Sequence, residues 1–338
     1  MSTGKTERLQ GPEGIMRAAE ILRRGGTVAF PTETVYGLGA NAIDATAVAK
    51  IFAAKERPGW DPVIVHVCDR EMGDRVAEVS KSAERLMEVF WPGPLTLLLP
   101  RKAVVPDTVT AGRPLVGVRM PRHELALALI REAGIPVAAP SANRFGRTSP
   151  TTAVHVLGDL EGRIDAVLDG GPTEVGVEST VIGPAEDGPH WVMYRPGGVS
   201  KEALEAALGT GEVEMFRPAD SSRTPESLPS PGVGIRHYAP RARLVLVQAE
   251  GLDVAVERVA EGGARAGVML PDGYVVSSAS AIYPWGAWSD GETLARRLFA
   301  GLRELDEAGV EVIVCPVPEM SGIGEAIRDR LRKAAREK

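Results

Sequence analysis

The chain has 338 residues and a formal net charge of −6, with 44% hydrophobic and 25% charged residues. This length exceeds that of a typical single domain, so we expect two domains of unequal size. The composition excludes wholesale disorder, no stretch reaches the roughly 20 apolar residues that cross a bilayer, and the negative charge argues against a surface devoted to non-specific nucleic-acid binding.

The N-terminal segment MSTGKTERLQGPEG is charged and lacks the apolar core of a signal peptide, so nothing in it predicts secretion. Residues 4–6 resemble the tail of a P-loop, but the earlier glycine and the preceding strand of that motif are missing. The cysteines Cys68 and Cys315 lie far apart without CxxC spacing, which indicates neither a disulfide framework nor a zinc site. We therefore expect a reducing, cytoplasmic location.

Through about residue 210, short apolar runs alternate with helix-like stretches, which predicts an α/β domain. We expect buried strands at 27–30, 63–65, 95–99 and 116–118. Apolar spacing and flanking Gly or Pro predict helices at 12–24, 44–54, 80–90, 123–133, 151–158 and 200–208, the second with Asp44 as its N-cap. Many strands end in Pro- and Gly-rich turns, so we expect the chemistry to lie on loops.

Residues 217–243 are rich in Pro, Ser and charge, and we predict that they link a domain at 1–216 to one at 244–338. Within them, Arg236, His237 and Tyr238 are groups that an inert spacer does not need, so a functional role is as reasonable as a passive one. The terminal part predicts strands at 244–247, 267–270 and 310–314 and helices at 252–262, 291–308 and 322–335. This is the pattern of a small α/β domain.

Residues 37–42, GLGANA, match one form of the dinucleotide-binding fingerprint and follow a predicted strand. Six residues separate that strand from the first glycine, whereas the fingerprint places its glycines at the strand-to-helix turn. Glycines that allow tight packing are the alternative interpretation. The sequence contains no G-x-S-x-G or H-E-x-x-H motif, which favours catalysis by positioning and charge neutralisation.

Four loop segments beside apolar strands concentrate hydroxyl, amide and cationic groups, at 31–36, 55–58, 140–143 and 177–180. Their composition suggests a site for an anionic ligand that accepts hydrogen bonds. Lys55 and Arg57, just past a helix end, could divide the oxygens of a phosphate or a carboxylate. The alternative, which these two residues taken alone favour, is that they form a favourable cap for that helix.

The Lys-x-Arg pair Lys55 and Arg57, followed by the Ser-x-Asn pair Ser141 and Asn143, resembles the diagnostic set of the YrdC-domain family. The surrounding segments are similar to that family as well: AFPTETVYGLGANA (29–42), VIVHV (63–67), WPGPLTLLL (91–99), VGVRMPRH (116–123), APSANRFGRTSPT (139–151), VESTVI (177–182) and RPGG (195–198). The resemblance covers residues 14–208. The segment at 230–240 and the terminal α/β unit resemble the long form of the family.

The resemblance implies an α/β fold in which a twisted mixed YrdC-like sheet and its helices surround a concave pocket, with a smaller Rossmann-like C-terminal domain. It also implies a nucleotidyltransferase that forms threonylcarbamoyl-AMP and pyrophosphate for tRNA modification. The expected ligands are L-threonine, bicarbonate and ATP with Mg2+. A separate transferase would use the product, and neither stable nucleic-acid binding nor a membrane is expected.

Family roles carry over residue by residue. Lys55 and Arg57 would be catalytic; Thr34, His66, Arg119, Ser141 and Ser179 would bind threonine; Arg57, Asp61, Asn143, Ser149, Arg195 and Tyr238 would bind ATP. Arg119 would pair with the amino-acid carboxylate. Asp61 and Trp60 depart from the family pattern, in which Asn is frequent at the first position and a polar residue at the second. No protein ligand for the metal is assigned.

Residues 230–240 are expected to fold over the ATP pocket as a lid that excludes water. An RNA-binding module is the alternative from another functional class, and it would lose RNA affinity steeply with salt without consuming ATP. Carbamoyl transfer in hydrogenase maturation is a further alternative, but the CxxC zinc motifs expected there are absent from the sequence.

Overall fold

A computed structural model describes residues 4–185, 188, 190–217, 230, 237–319 and 321–336. The chain divides into two units. The first comprises Met1–Phe145, Pro150–Thr173 and Glu178–Gly234, and the second comprises Gly146–Ser149, Glu174–Val177 and Ile235–Lys338. Much of the predicted linker and lid, at 218–229 and 231–236, lies outside the described residues, so the boundaries at 216 and 244 stay a prediction.

A mixed β-sheet forms the centre of the first unit. Its strands are β1 (Glu7–Leu9), β2 (Val28–Phe30), β3 (Gly37–Asn41), β4 (Ile64–His66), β5 (Leu95–Pro100), β6 (Leu115–Arg119), β7 (Val137–Ala138), β8 (Ala166–Leu168), β9 (Thr180–Pro184), β10 (Trp191–Arg195) and β11 (Val213–Met215). Their order is β1-β8-β2-β3-β7-β4-β6-β5-β9-β10-β11. Strands β2, β4, β5 and β6 confirm the four predicted strands, each with a small shift of its ends.

The central strands consist mainly of continuous apolar runs and do not alternate between apolar and polar residues. All residues of β2 and β8 are buried, as is all of β5 except Pro100. Continuous apolar runs are typical of strands covered on both faces. The parallel register of β4 and β6 sets His66 beside Arg119, so two polar side chains that end separate strands become neighbours.

The helices of the first unit confirm all six predictions for this part of the chain. They are α1 (Gly11–Arg23), α2 (Ala45–Lys55), α3 (Arg70–Val76), α4 (Lys81–Phe90), α5 (Asp107–Thr110), α6 (Glu124–Ala133), α7 (Ala153–Leu160) and α8 (Lys201–Leu208). Helix α7 begins later than predicted because the Thr152 side chain caps it, accepting a hydrogen bond from His155 N. The sequence did not predict α3 and α5, since helices this short do not repeat an apolar spacing.

The glycine-rich segment at 37–42 is not a strand-to-helix turn. Its residues Gly37 to Asn41 form β3, which pairs antiparallel with β2. A Cβ on Gly39 would lie 2.8 Å from both the Phe30 ring and a methyl group of Val137. These glycines therefore allow tight packing of the sheet, and the dinucleotide-binding interpretation is wrong.

The second unit contains a four-stranded parallel sheet. Its strands are β12 (Arg243–Val247), β13 (Ala266–Pro271), β14 (Ala281–Gly286) and β15 (Val312–Pro316), in the order β12-β15-β13-β14, and its helices are α9 (Leu252–Glu261), α10 (Gly291–Glu307) and α11 (Gly324–Ala334). The predicted helices and strands are confirmed, and the α/β class with them. Strand β14 was not predicted, because Pro284 interrupts its apolar pattern and is tolerated only at a sheet edge.

No helix in the described parts of the chain has both the length and the apolar character to cross a membrane.

Helix α2 should depend on its N-cap, because Asp44 Oδ1 accepts hydrogen bonds from Thr46 N at 2.8 Å and Ala47 N at 3.2 Å. We expect Asp44→Ala to lower the free energy of unfolding by about 1 kcal/mol, measured by urea denaturation. Asp44→Asn keeps a capping oxygen and should stay close to wild type. Equal destabilisation by both substitutions would contradict a capping role.

Candidate active site

Lys55 joins two segments that are distant in the sequence. It is the last residue of α2, and its side chain is 1% exposed. Its Nζ donates hydrogen bonds to the carbonyl oxygens of Ser141, at 2.6 Å, and Asn143. In return, Phe145 N donates to the Lys55 carbonyl at 2.9 Å. The Lys-x-Arg and Ser-x-Asn pairs are thus part of one cluster.

The Lys55 ammonium is held in an environment that disfavours its charge. Burial lowers the pKa of Lys55 well below its ordinary value, and the positive charge of Arg57 adds to this effect, while Asp159 and Asp61 oppose it. Two of its three N–H groups are used by backbone carbonyls. An anion bound to the third would favour the charged form.

Arg57 and Asp61 form a buried ion pair. A left-handed residue, Glu56 at φ 56°, ends α2 and turns the chain towards this pair. Arg57 Nη2 lies 2.9 Å from Asp61 Oδ2 and donates to the Pro62 carbonyl at 2.7 Å, and Arg57 Nε donates to the Asp61 carbonyl. Burial raises the pKa of Asp61, although Arg57, Lys55 and Arg195 each lower it. Asp61 Oδ1 has no hydrogen-bond partner in the described structure.

A second buried ion pair lies at the end of β6. Arg119 Nη2 is 2.7 Å from Glu33 Oε2, and Arg119 Nη1 donates to Thr34 Oγ1 at 3.0 Å. Arg119 Nε donates to the Gly93 carbonyl at 3.2 Å. The loop at 31–36 therefore supplies both an acid and a hydroxyl to one guanidinium.

His66 stands beside this pair as a neutral side chain. Burial, together with a smaller effect of the positive charge of Arg119, lowers its pKa to about 3. Its ring meets the edge of Phe30 at 5.9 Å between centroids, and its Nδ1 has no hydrogen-bond partner within the described residues. A neutral imidazole can accept or donate one hydrogen bond without adding charge.

Arg195 organises the third part of the site. Its Nε donates to the Ser179 carbonyl at 3.0 Å and its Nη2 to Ser179 Oγ at 3.1 Å. Ser179 Oγ also lies 2.8 Å from Thr96 Oγ1 on β5. Because the charge of Arg195 also lowers the pKa of Asp61, this group is electrostatically linked to the Arg57 pair.

Two of the predicted ATP contacts belong to the second unit. Ser149 is fully buried, and Tyr238 is 1% exposed. The Tyr238 ring stacks on Phe299 with centroids 5.8 Å apart, and the Arg330 guanidinium lies 5.1 Å from its centroid. Tyr238 has a positive φ of 65°, which is unusual for a residue other than glycine. Its predicted contact with ATP stays a prediction.

Within the first unit the structure brings the predicted residues into three connected groups. The first contains Lys55, Arg57, Asp61, Ser141 and Asn143; the second contains Thr34, His66 and Arg119; the third contains Ser179 and Arg195. The sequence did not single out Glu33 or Thr96 for a role. Glu33 could have been recognised from the sequence, because it is the one acid in a loop otherwise composed of apolar and hydroxyl residues.

The described residues contain no group of three or more His, Cys, Asp or Glu that could hold a metal by themselves. Asp61, with its unbonded Oδ1, offers one carboxylate oxygen. Mg2+ that travels with a nucleotide takes most ligands from phosphates and water and needs only one or two carboxylates. The donor set fits a nucleotide-bound ion.

Comparison with known proteins gives matches over nearly the whole chain. A Sua5/YciO/YrdC model described as telomere recombination matches residues 20–197, and a model described as threonylcarbamoyl-AMP synthase, C-terminal domain, matches residues 199–336. Threonylcarbamoyl-AMP synthase of Bacillus subtilis is 46% identical to this chain, and the match covers 95% of this chain and 92% of the relative. The enzyme of the same name from Pyrococcus abyssi is 43% identical, and the match covers 94% of this chain and 93% of the relative. The crystal structure of P. abyssi Sua5 complexed with L-threonine superposes with a TM-score of 0.89 at 41% identity, covering 98% of this chain and 97% of that one.

The buried His66 should make stability depend on pH. Its pKa is about 3 in the folded chain against an ordinary 6.5, so between these values only the unfolded chain takes up the proton. Stability should therefore fall as pH drops from 6.5 towards 3, by about 1.4 kcal/mol per unit for one proton. Urea unfolding at several pH values should show a shallower slope for His66→Gln.

The partly exposed His190 provides the control, and His190→Gln should keep the wild-type slope. If His66→Gln and wild type lose stability equally over this range, the assignment of a buried neutral His66 is wrong.

Proposed function

Because the chain belongs to the threonylcarbamoyl-AMP synthase family, we propose that it forms threonylcarbamoyl-AMP and pyrophosphate from L-threonine, bicarbonate and ATP. In this reaction the threonine nitrogen is carboxylated, and an oxygen of the resulting carbamate attacks the α-phosphorus of ATP as pyrophosphate leaves. The enzyme is then a nucleotidyltransferase. The chain would act in the cytoplasm, and a separate transferase would pass the threonylcarbamoyl group to tRNA.

The observation that carries the proposal is the buried cationic cluster built on Lys55. A carbamate and a triphosphate are both anionic, and their repulsion grows as the dielectric constant of the site falls. Arg57 and Arg195 supply fixed positive charge, and Lys55 adds its own when a bound anion favours its charged form; all three are held in place by backbone carbonyls, and Arg57 also by Asp61. Donors fixed in advance stabilise developing charge without reorganising during the reaction.

The group around Arg119 suits the amino acid. Arg119 is anchored by Thr34 and Gly93, and its guanidinium can pair with the threonine carboxylate. Ser141 and Ser179 supply hydroxyl groups, and neutral His66 can bond the threonine side chain without repelling it. These elements would hold the carbamate near the nucleotide, and proximity supplies much of the rate enhancement.

Mg2+ is proposed to bind together with ATP. Asp61 would provide the protein oxygen, and Asn143, Ser149 and Tyr238 would contact the nucleotide. The ion would neutralise phosphate charge when bound. Lys55 and Arg57 would orient the α-phosphate and compensate the charge that remains on it.

The direct test is to incubate the purified chain with ATP, Mg2+, bicarbonate and L-threonine and to detect the adenylate by mass spectrometry. We expect product and pyrophosphate only when threonine and bicarbonate are both present. Pyrophosphate release that ignores threonine, or salt-sensitive RNA binding without ATP consumption, would contradict the proposal.

Lys55→Met should lower kcat/KM about 100-fold or more, because it removes a fixed charge from the transition state. Lys50 provides a matched control on the same helix, since its Nζ also donates to a backbone carbonyl, that of Gly25, but at the surface. Lys50→Met should change kcat/KM less than about twofold, as an exposed charge far from the reacting groups contributes little. Equal effects of the two substitutions would show that Lys55 has no catalytic role.

A further inference from the structure

Glu33 is a buried acid that the roles above do not use. It is 0% exposed, and neither of its carboxylate oxygens has a hydrogen-bond partner in the described structure, although Oε2 forms an ion pair with Arg119. Leaving a buried carboxylate oxygen unbonded costs free energy, and such atoms in native proteins call for an explanation. A ligand with N–H donors is one explanation.

The hydroxyl groups beside Glu33 are oriented so that they also offer an acceptor. Thr32 Oγ1 can donate its single proton to the Val35 carbonyl at 2.7 Å, and in that arrangement the 2.8 Å contact between Thr32 and Thr34 uses the Thr34 proton. Thr34 Oγ1 accepts one hydrogen bond from Arg119 and keeps a second lone pair. This corner therefore presents acceptors, which suit a positively charged donor.

The charges of Arg119 and Glu33 also suit a ligand that carries a positively charged donor. Arg119 and Glu33 are together neutral, as is an amino-acid zwitterion. If the carboxylate of the amino acid binds Arg119, the free oxygen of Glu33 and the lone pair of Thr34 remain for its ammonium group. Each charge of the ligand then meets an opposite charge in a site that excludes water.

We propose that Glu33 binds the α-ammonium group of the amino-acid substrate and accepts the proton that the nitrogen must lose before it can be carboxylated. This inference rests on the proposed function. The N–H bond breaks, its electron pair stays on nitrogen, and the proton moves to Glu33, giving a neutral amine and a neutral carboxylic acid. The amine can then attack CO2 derived from bicarbonate.

The charged and titratable groups placed around this acid are compatible with the role. Arg119 Nη2 on β6 lies 2.7 Å from Glu33 Oε2, and His66 on β4 is neutral because its pKa is about 3. A third titratable group, His123, lies near the start of the loop at 31–36 that carries Glu33. Gly170 is close to both, because a Cβ built on it would lie 2.7 Å from Pro31 and 3.4 Å from His123.

Ligand binding shows whether Glu33 recognises the ammonium group or only supports the structure of the site. Isothermal titration calorimetry would compare L-threonine with 3-hydroxybutyrate, which keeps the carboxylate and hydroxyl but lacks the ammonium group. We expect wild type to bind threonine with an affinity about 30-fold or more above that for 3-hydroxybutyrate, because a charge-assisted hydrogen bond contributes a difference of this size. In Glu33→Gln this preference should fall below about fivefold, whereas loss of a merely structural contact weakens both ligands alike.

The pH dependence tests proton transfer. At each pH, kcat/KM for threonine in Glu33→Gln is divided by the wild-type value, which cancels the changing supply of CO2. The ratio should be about 0.01 near pH 7.5 and rise about tenfold per unit towards the pKa of the amine, because the variant must use free amine. Glu20→Gln removes a surface acid paired with Arg17 and Arg24, and its ratio should stay near one, as for most exposed ion pairs.

Should Glu33→Gln not fold, Glu33→Asp keeps the charge opposite Arg119 while withdrawing the carboxylate from the nitrogen. We expect it to lower kcat/KM about tenfold to 100-fold, since small misplacements of a reacting group are costly. An unchanged threonine preference with a pH-independent ratio, or a fully active Glu33→Asp enzyme, would overturn the role of Glu33. Wild type that forms no adenylate would instead refute the proposed function.

Discussion

The ammonium group of Lys55 bound to two backbone carbonyls is the interaction on which the first unit's site depends. A buried ammonium needs acceptors, and the carbonyls of Ser141 and Asn143 provide two of them. These bonds fix the end of α2 against the loop that follows β7. They use two of the three N–H groups of Lys55, so the third can donate a hydrogen bond to a ligand.

The rest of the site contains two buried ion pairs, and each suits a different kind of ligand. Arg57 pairs with Asp61, and Arg119 pairs with Glu33. Asp61 Oδ1 and both carboxylate oxygens of Glu33 have no hydrogen-bond partner within the described residues, although Glu33 Oε2 lies 2.7 Å from Arg119. A buried pair is held together only with good geometry and further hydrogen bonds. The free oxygen of Asp61 suits a metal ion on phosphates, and Glu33 Oε1 suits an ammonium group, so the two pairs match the proposed ATP with Mg2+ and the proposed amino-acid substrate.

Local sequence signals predicted most of the regular structure. Asp44 marks the start of α2, and uninterrupted apolar runs mark β2, β4, β5 and β6. The failures have specific causes. Helix α5 spans a single turn, β14 contains Pro284, and residues 37–41 form a strand whose glycines imitate a nucleotide-binding turn. In each case packing against neighbours overrides the local pattern.

The sequence by itself determined the α/β class, the helices and strands with a strong apolar period, and the family, because these depend on the order of residues along the chain. It also placed Arg57, Ser141 and Asn143 on loops, whereas Lys55, expected just past the helix end, is the last residue of α2. Only the tertiary structure decided which atoms meet: Lys55 with carbonyls instead of side chains, and Glu33 with Arg119, 86 residues later. Such contacts depend on strand order and register, which bring distant residues together and leave no periodic signal in the sequence.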